Sequence, residues 1–148
     1  MSDPRPAGAI ERLHATTVAL HGAQGWRGVL LTGASGAGKS DLALRLIGQG
    51  ARLVADDVTL VWSAGEGLHA TAPATIAGRM EVRGLGIVPQ PTRDVVRLAL
   101  AVVCAPGPPE RLPEAERLGV GELDLPLLRL DARSPSAATV IMTALRTL

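Results

Sequence analysis

The chain has 148 residues, 47% hydrophobic and 20% charged, with a net charge of +1. That length suits one domain with a real core, and the near-neutral balance excludes the broad basic face of a nucleic-acid binder. Cys104 is the single cysteine, so there is no internal disulfide; no apolar run reaches a membrane span, and Trp26 and Trp62 are the only Phe, Tyr or Trp residues.

Residues 1–8 read as the loose part of an N-terminal tail over residues 1–12, and they carry no apolar signal core, so a cytoplasmic location is expected. Thr16–Leu20 reads as a strand and His21–Gly28 as a turn region. Val29-Leu30-Leu31 is an apolar strand, and Asp41–Ile47 a helix stopped at Gly48 or Gly50. Arg52–Ala55 is a strand running into Asp56-Asp57. Val58–Trp62 and Leu68–Thr71 are strands joined by a turn at Ala64–Gly67. An irregular stretch follows, with Pro73, Gly78, Gly84 and Gly86. Arg97–Val103 has the apolar run of a buried strand. Ala105–Pro113 holds four prolines and reads as an exposed loop. Leu123–Leu130 is a strand. Ser134 and Pro135 are placed to start a last helix, with Ala138, Ile141, Met142 and Leu145 on its apolar side. The pattern predicts a strand-rich α/β domain over residues 13–148.

Between the Val29 strand and the Asp41 helix lies Gly33-Ala34-Ser35-Gly36-Ala37-Gly38-Lys39-Ser40. It matches the phosphate-binding loop G-x-x-x-x-G-K-[ST] at every fixed position and in the strand–loop–helix context the motif requires. Its glycines let backbone N–H groups converge on phosphate oxygens at a helix N-terminus. Lys39 is placed to reach the β- and γ-phosphates, and the Ser40 hydroxyl to meet Mg²⁺. The implied ligand is a nucleoside triphosphate with Mg²⁺.

Asp56 and Asp57 end an apolar strand, where a metal-organising carboxylate is expected beside such a loop. In an extended chain the two would face opposite sides, one toward the phosphates. A carboxylate there could also take a proton from an attacking hydroxyl; the alternative is a solvated turn. In Met80–Ile87, Glu81 and Arg83 alternate with apolar residues and would share one face of a strand, suiting Mg²⁺ and phosphate together. A surface ion pair in a glycine-rich hairpin is the other reading.

Three blocks together resemble the HPr kinase/phosphorylase family: Gly33–Ser40, Ala55-Asp56-Asp57, and Glu81-Val82-Arg83-Gly84-Leu85-Gly86-Ile87. The resemblance covers His14 to about Leu130, and the last block carries it furthest because phosphate loops are common and this run is not. It implies a P-loop mixed sheet like that of phosphoenolpyruvate carboxykinase, with a helix after the loop and one at the C-terminus. It implies an ATP- and Mg²⁺-dependent kinase for a serine of HPr, the phosphocarrier of the sugar phosphotransferase system, or of its nitrogen-related paralogue. The family also runs the reverse reaction with inorganic phosphate. By resemblance, Lys39 grips phosphate, Ser40 and Glu81 hold Mg²⁺, and Asp57 accepts the serine proton with Asp56 beside it. Arg83, Gly84 and Gly86 belong to the active-site signature, His14 is the active-site histidine with His21 as its rival, and Arg117 is an active-site arginine.

The chain departs from the family pattern in three ways. It has little sequence before His14, like the short form that carries the catalytic domain only, which leaves the oligomeric state open. Val58 follows the acid pair where many members have arginine. The late Arg-Pro-Gly-Arg-Asn segment, tied to the reverse reaction, is only loosely echoed by Arg129–Arg133. The remaining alternatives are a small-molecule P-loop kinase, which usually carries an arginine-rich lid, and an ATP-sensing module without turnover.

Overall fold

The structure is a computed structural model that describes residues 9–148. Nine strands form one mixed sheet: β1 (Glu11–Leu13), β2 (Thr16–Gly22), β3 (Gly25–Thr32), β4 (Arg52–Ala55), β5 (Thr59–Ala64), β6 (Gly67–Thr71), β9 (Val95–Cys104), β10 (Glu116–Val120) and β11 (Leu123–Leu130). A separate two-stranded sheet pairs β7 (Arg79–Val82) with β8 (Gly86–Pro89). Helix α1 (Lys39–Ile47) follows the glycine-rich loop, and α2 (Ala137–Arg146) closes the chain. No helix of the described residues is long and apolar enough to cross a membrane.

The long strand β9 organises the sheet. Its first residues pair antiparallel with β6, and its later ones run parallel to β3 on one side and β11 on the other. β2 is antiparallel to both β3 and β4. Strands β3, β4, β9 and β11 therefore all point the same way, and the loops after them emerge at one end. Ligand sites of open α/β sheets lie at the carboxyl ends of such strands. β2 starts at that same end, which brings His14 there as well.

Alternation along the strands separates two cores. Val18, Val29 and Leu31 face a cluster with Leu42, Leu46, Ile141 and Leu145 of the helices, while Ala19 and Leu30 face a second cluster with Val61, Ala70 and Val96. A core without Phe or Tyr is filled by Leu, Ile, Val and Ala.

Several expectations are corrected. Of the expected tail, residues 1–8 lie outside the described residues, but Glu11 and Arg12 are strand residues paired with β5. The expected turn at His21–Gly28 is a tight hairpin, with Trp26, Arg27 and Gly28 already in β3. β7 and β8 occupy the stretch expected to be irregular, and β10 forms in the charged segment around Arg117, because cross-strand pairing rather than local pattern stabilises both. Ser134 does not cap α2. Its carbonyl accepts the Ala137 N–H in a turn, and Ser136 stands at the N-cap without a side-chain cap bond.

Gly33 leaves β3 at φ 133°, and a Cβ there would sit 2.5 Å from the Cys104 carbonyl oxygen. Gly33→Ala should therefore combine a left-handed strain with a backbone clash. The expected cost is at least about 2 kcal/mol, a fall of roughly 4–8 °C in Tm in a thermal melt.

The neighbouring Cys104 is buried, and burial pushes its thiol from 9.0 up to about 11, against a smaller opposing effect of the Lys39 charge. A thiol held protonated in the fold contributes stability fully below pH 9.0 and loses it as pH rises toward about 11. In native protein at pH 8, iodoacetamide should leave Cys104 unmodified, and denaturant should expose it, as read by intact-mass spectrometry.

Candidate active site

The glycine-rich loop has a geometry suited to phosphate. Gly33, Gly36 and Gly38 all have positive φ, and Gly38 stands at the α1 N-cap in the left-handed conformation. The Leu42 N–H donates to the Gly38 carbonyl, so the N–H groups ahead of it have no intrahelical acceptor. Ala34 closes the loop on itself by accepting the Ala37 N–H. Lys39 is only 6% exposed, and its Nζ donates to the carbonyls of Gly33 at 2.6 Å and Ala34 at 3.2 Å. An ammonium group has three donors, so one remains for a phosphate oxygen.

The acid pair meets this loop through β2 and β4. The Ser40 hydroxyl donates to Asp56 Oδ1 at 2.7 Å, and Thr16 Oγ1 donates to the same oxygen at 3.2 Å. Thr16 Oγ1 in turn accepts the Asp57 N–H at 3.1 Å. Asp57 has φ 67°, the only non-glycine residue with positive φ among the described residues, and the Val58 N–H donates to the Asp56 carbonyl at 2.7 Å. This is the rare, strained γ-turn, centred on Asp57. The two carboxylates do face different ways, but a turn separates them, not the alternation of an extended chain.

His14 lies between the acid and the loop. Its Nε2 is 3.3 Å from Ser35 Oγ, and its Nδ1 is 3.5 Å from Asp57 Oδ1. His21 instead packs its ring on Trp26 at the β2–β3 hairpin, away from the loop. The side chains of His14 and Asp57 are 50% and 68% exposed, so this pair is open to an incoming partner and adds little to stability.

A cleft of about 290 Å³ opens beside Asp57 and is lined by Arg12, Asp56, Asp57, Arg79, Glu81 and Ile87 among others. Glu81 thus shares the cleft with both aspartates. Arg83 does not share its strand face: β7 ends at Val82, and Arg83, Gly84 and Leu85 form the hairpin turn, with Gly84 and Gly86 both at positive φ. Arg117 is not brought to the cleft. It sits on β10, where its Nε donates to Asp124 at 2.8 Å. The same hairpin is held by Arg129, whose Nε donates to Glu116 at 2.8 Å and Nη2 at 3.0 Å, holding that carboxyl below the usual range.

Two contributors stand outside the expected set of site residues. Thr16 reads only as a β-branched strand residue. Arg133, on the loop after β11, donates to the Gly36 carbonyl, while Arg45 of α1 donates to Ala132 and Ser134 and braces that loop. Among the described residues no three of His, Cys, Asp and Glu converge as a ready-made metal cage. The Ser40 hydroxyl and the Asp56 carboxylate, 2.7 Å apart, are oxygen donors of the kind Mg²⁺ takes, one or two from protein and the rest from phosphate and water, and Glu81 lines the same cleft as Asp56.

The family model described as HPr Serine kinase C-terminal domain matches residues 8–92. The HPr kinase/phosphorylase of Clostridium tetani is 33% identical over 129 residues, covering 82% of this chain and 40% of that protein. That of Chlorobium luteolum is 35% identical over 148 aligned residues, covering 89% of this chain and 43% of that protein. The chain thus spans about two fifths of the length of these curated relatives. The solved HPr(Ser) kinase/phosphatase of Coxiella burnetii superposes with a TM-score of 0.75 at 23% identity, over 93% of this chain and 95% of that one, so the two share a fold. With its phosphate loop, acid pair and Glu81–Ile87 hairpin all inside the matched residues, the chain belongs to the HPr serine kinase C-terminal domain family.

Proposed function

We propose that this domain transfers the γ-phosphoryl group of ATP to a serine hydroxyl of an HPr-type acceptor protein. The observation that carries the reading is the placement of Asp57 beside the loop that would hold the donor. Asp56 is tied to Ser40 of that loop, while Asp57 turns its carboxylate to solvent at the cleft. An acid in that position can accept the serine proton as the new P–O bond forms. The loop amides and Lys39 hold the triphosphate. Ser40, with Asp56 and Glu81 near it, would hold Mg²⁺, which when bound neutralises phosphate charge. His14 orients Asp57 through its Nδ1 and reaches the loop through Ser35. Phosphoryl transfer needs little more than such positioning and charge stabilisation. The acceptor is inferred from the names of the relatives.

Asn tolerates positive φ, so Asp57→Asn should keep the γ-turn and remove the proton acceptor. Transfer from radiolabelled ATP to an HPr-type protein should fall by about 10²–10⁴-fold, with nucleotide affinity within a few-fold of wild type. Full turnover in that variant would remove Asp57 from the role.

Lys39→Ala should behave differently, weakening nucleotide binding and transfer together. Calorimetric titration with Mg·ATP separates the two patterns.

A further inference from the structure

A second group of cations lies at the other end of β3. The Arg52 guanidinium carbon is 5.0 Å from the centre of the Trp26 ring, and that of Arg93 is 4.9 Å from it. The two charges are therefore no more than about 10 Å apart, within about one Debye length, and they repel. Among the described residues neither guanidinium has a carboxylate or carbonyl partner, and Arg93 Nε is buried without an acceptor. A guanidinium stacked on a ring uses its face and leaves its N–H edge free. Both guanidinium groups thus stand on one ring, with no carboxylate or carbonyl among the described residues to satisfy their edges.

The frame that holds them is tied by backbone hydrogen bonds. Arg52 opens β4, and the next residue, Leu53, bonds to the 91–93 segment in both directions. The Leu53 N–H donates to Pro91 at 2.8 Å, and the Arg93 N–H donates to Leu53 at 3.0 Å. Arg52 is exposed and Trp26 half-buried, so the cluster is reachable from solvent. Trp26 and the loop stand at opposite ends of β3, six residues or about 20 Å apart.

We propose that Trp26, Arg52 and Arg93 form a second anion site, distinct from the phosphate loop, for a phosphate-type dianion. Two guanidinium forks match the charge of such a group and can each bond two of its oxygens. The site does not depend on the transfer reading, because it uses none of its residues.

Trp26 reports on it directly, since the other tryptophan, Trp62, is buried at 2% exposure. Inorganic phosphate and glycerol 3-phosphate would each be titrated against chloride at matched ionic strength, following tryptophan fluorescence. The expected result is a saturable change, retained in Lys39→Ala, weakened at least tenfold in Arg52→Gln, and partly kept in Arg52→Lys. The tighter of the two probes tells whether the free ion or an esterified phosphate is the natural occupant. Arg52 is exposed, so Arg52→Gln should melt with the wild type. The proposal is overturned if neither probe gives a saturable change beyond chloride, if Arg52→Gln binds as wild type does, or if Lys39→Ala abolishes the signal.

Discussion

The candidate site depends on one buried hydroxyl. Thr16 is fully buried at the start of β2, and its Oγ1 donates to Asp56 and accepts the Asp57 N–H. β2 lies between β3 and β4 in the sheet, so this side chain is the point where the strand before the phosphate loop and the strand before the acid pair are tied together. The bond to Asp56 aims that carboxylate at Ser40. The bond to the Asp57 amide helps to hold a backbone conformation that an L-residue adopts at a cost on the order of 1–3 kcal/mol. Thr17 and Thr59 extend the same seam, sharing a bond of 2.8 Å, while Thr59 donates to the Ala15 carbonyl beside His14. Buried hydroxyls that are all satisfied fix a unique geometry, and leaving any one unpaired carries a desolvation cost.

The sheet direction does the rest. With β3, β4, β9 and β11 running the same way, the phosphate loop, the acid pair, the 105–115 segment and the Arg133 loop meet at one end without any long-range excursion of the chain. Packing there is close enough that Gly33 must lack a side chain against Cys104. Gly38 approaches Ala132, where a Cβ would lie at 3.3 Å. The loop is thus clamped from below by β9 and from the side by the segment leading to α2. Under the proposed function, such a scaffold would hold a donor phosphate in place while leaving the exposed Asp57 and His14 open to a protein acceptor.

Much of this was legible in the sequence where the physics is local. The phosphate loop announces itself because its chemistry needs fixed glycines, a lysine and a hydroxyl at set spacing. The apolar run of β9 and the periodicity of α2 likewise follow from side-chain pattern. Strand pairing was not legible where the strand itself is short and polar: β1 exists because the distant β5 offers it a partner, and β10 because β11 does so across a tight hairpin. The two histidines could not be ranked from spacing, since a hairpin moves His21 to the far end of β2 while His14 stays at the loop. Arg117, an active-site arginine by resemblance alone, pairs with Asp124 on the β10–β11 hairpin. The role of Thr16 had no signal, because a buried threonine in a strand looks the same whether or not its hydroxyl organises a site.

The central claim is that this scaffold directs a phosphoryl group to a serine of another protein. The most direct measurement incubates the protein with Mg·ATP and a purified HPr-type protein and locates any added phosphate by mass spectrometry. One phosphoserine on the acceptor, absent when ATP is omitted, is the expected result. An unmodified acceptor under conditions where ATP demonstrably binds would contradict the account.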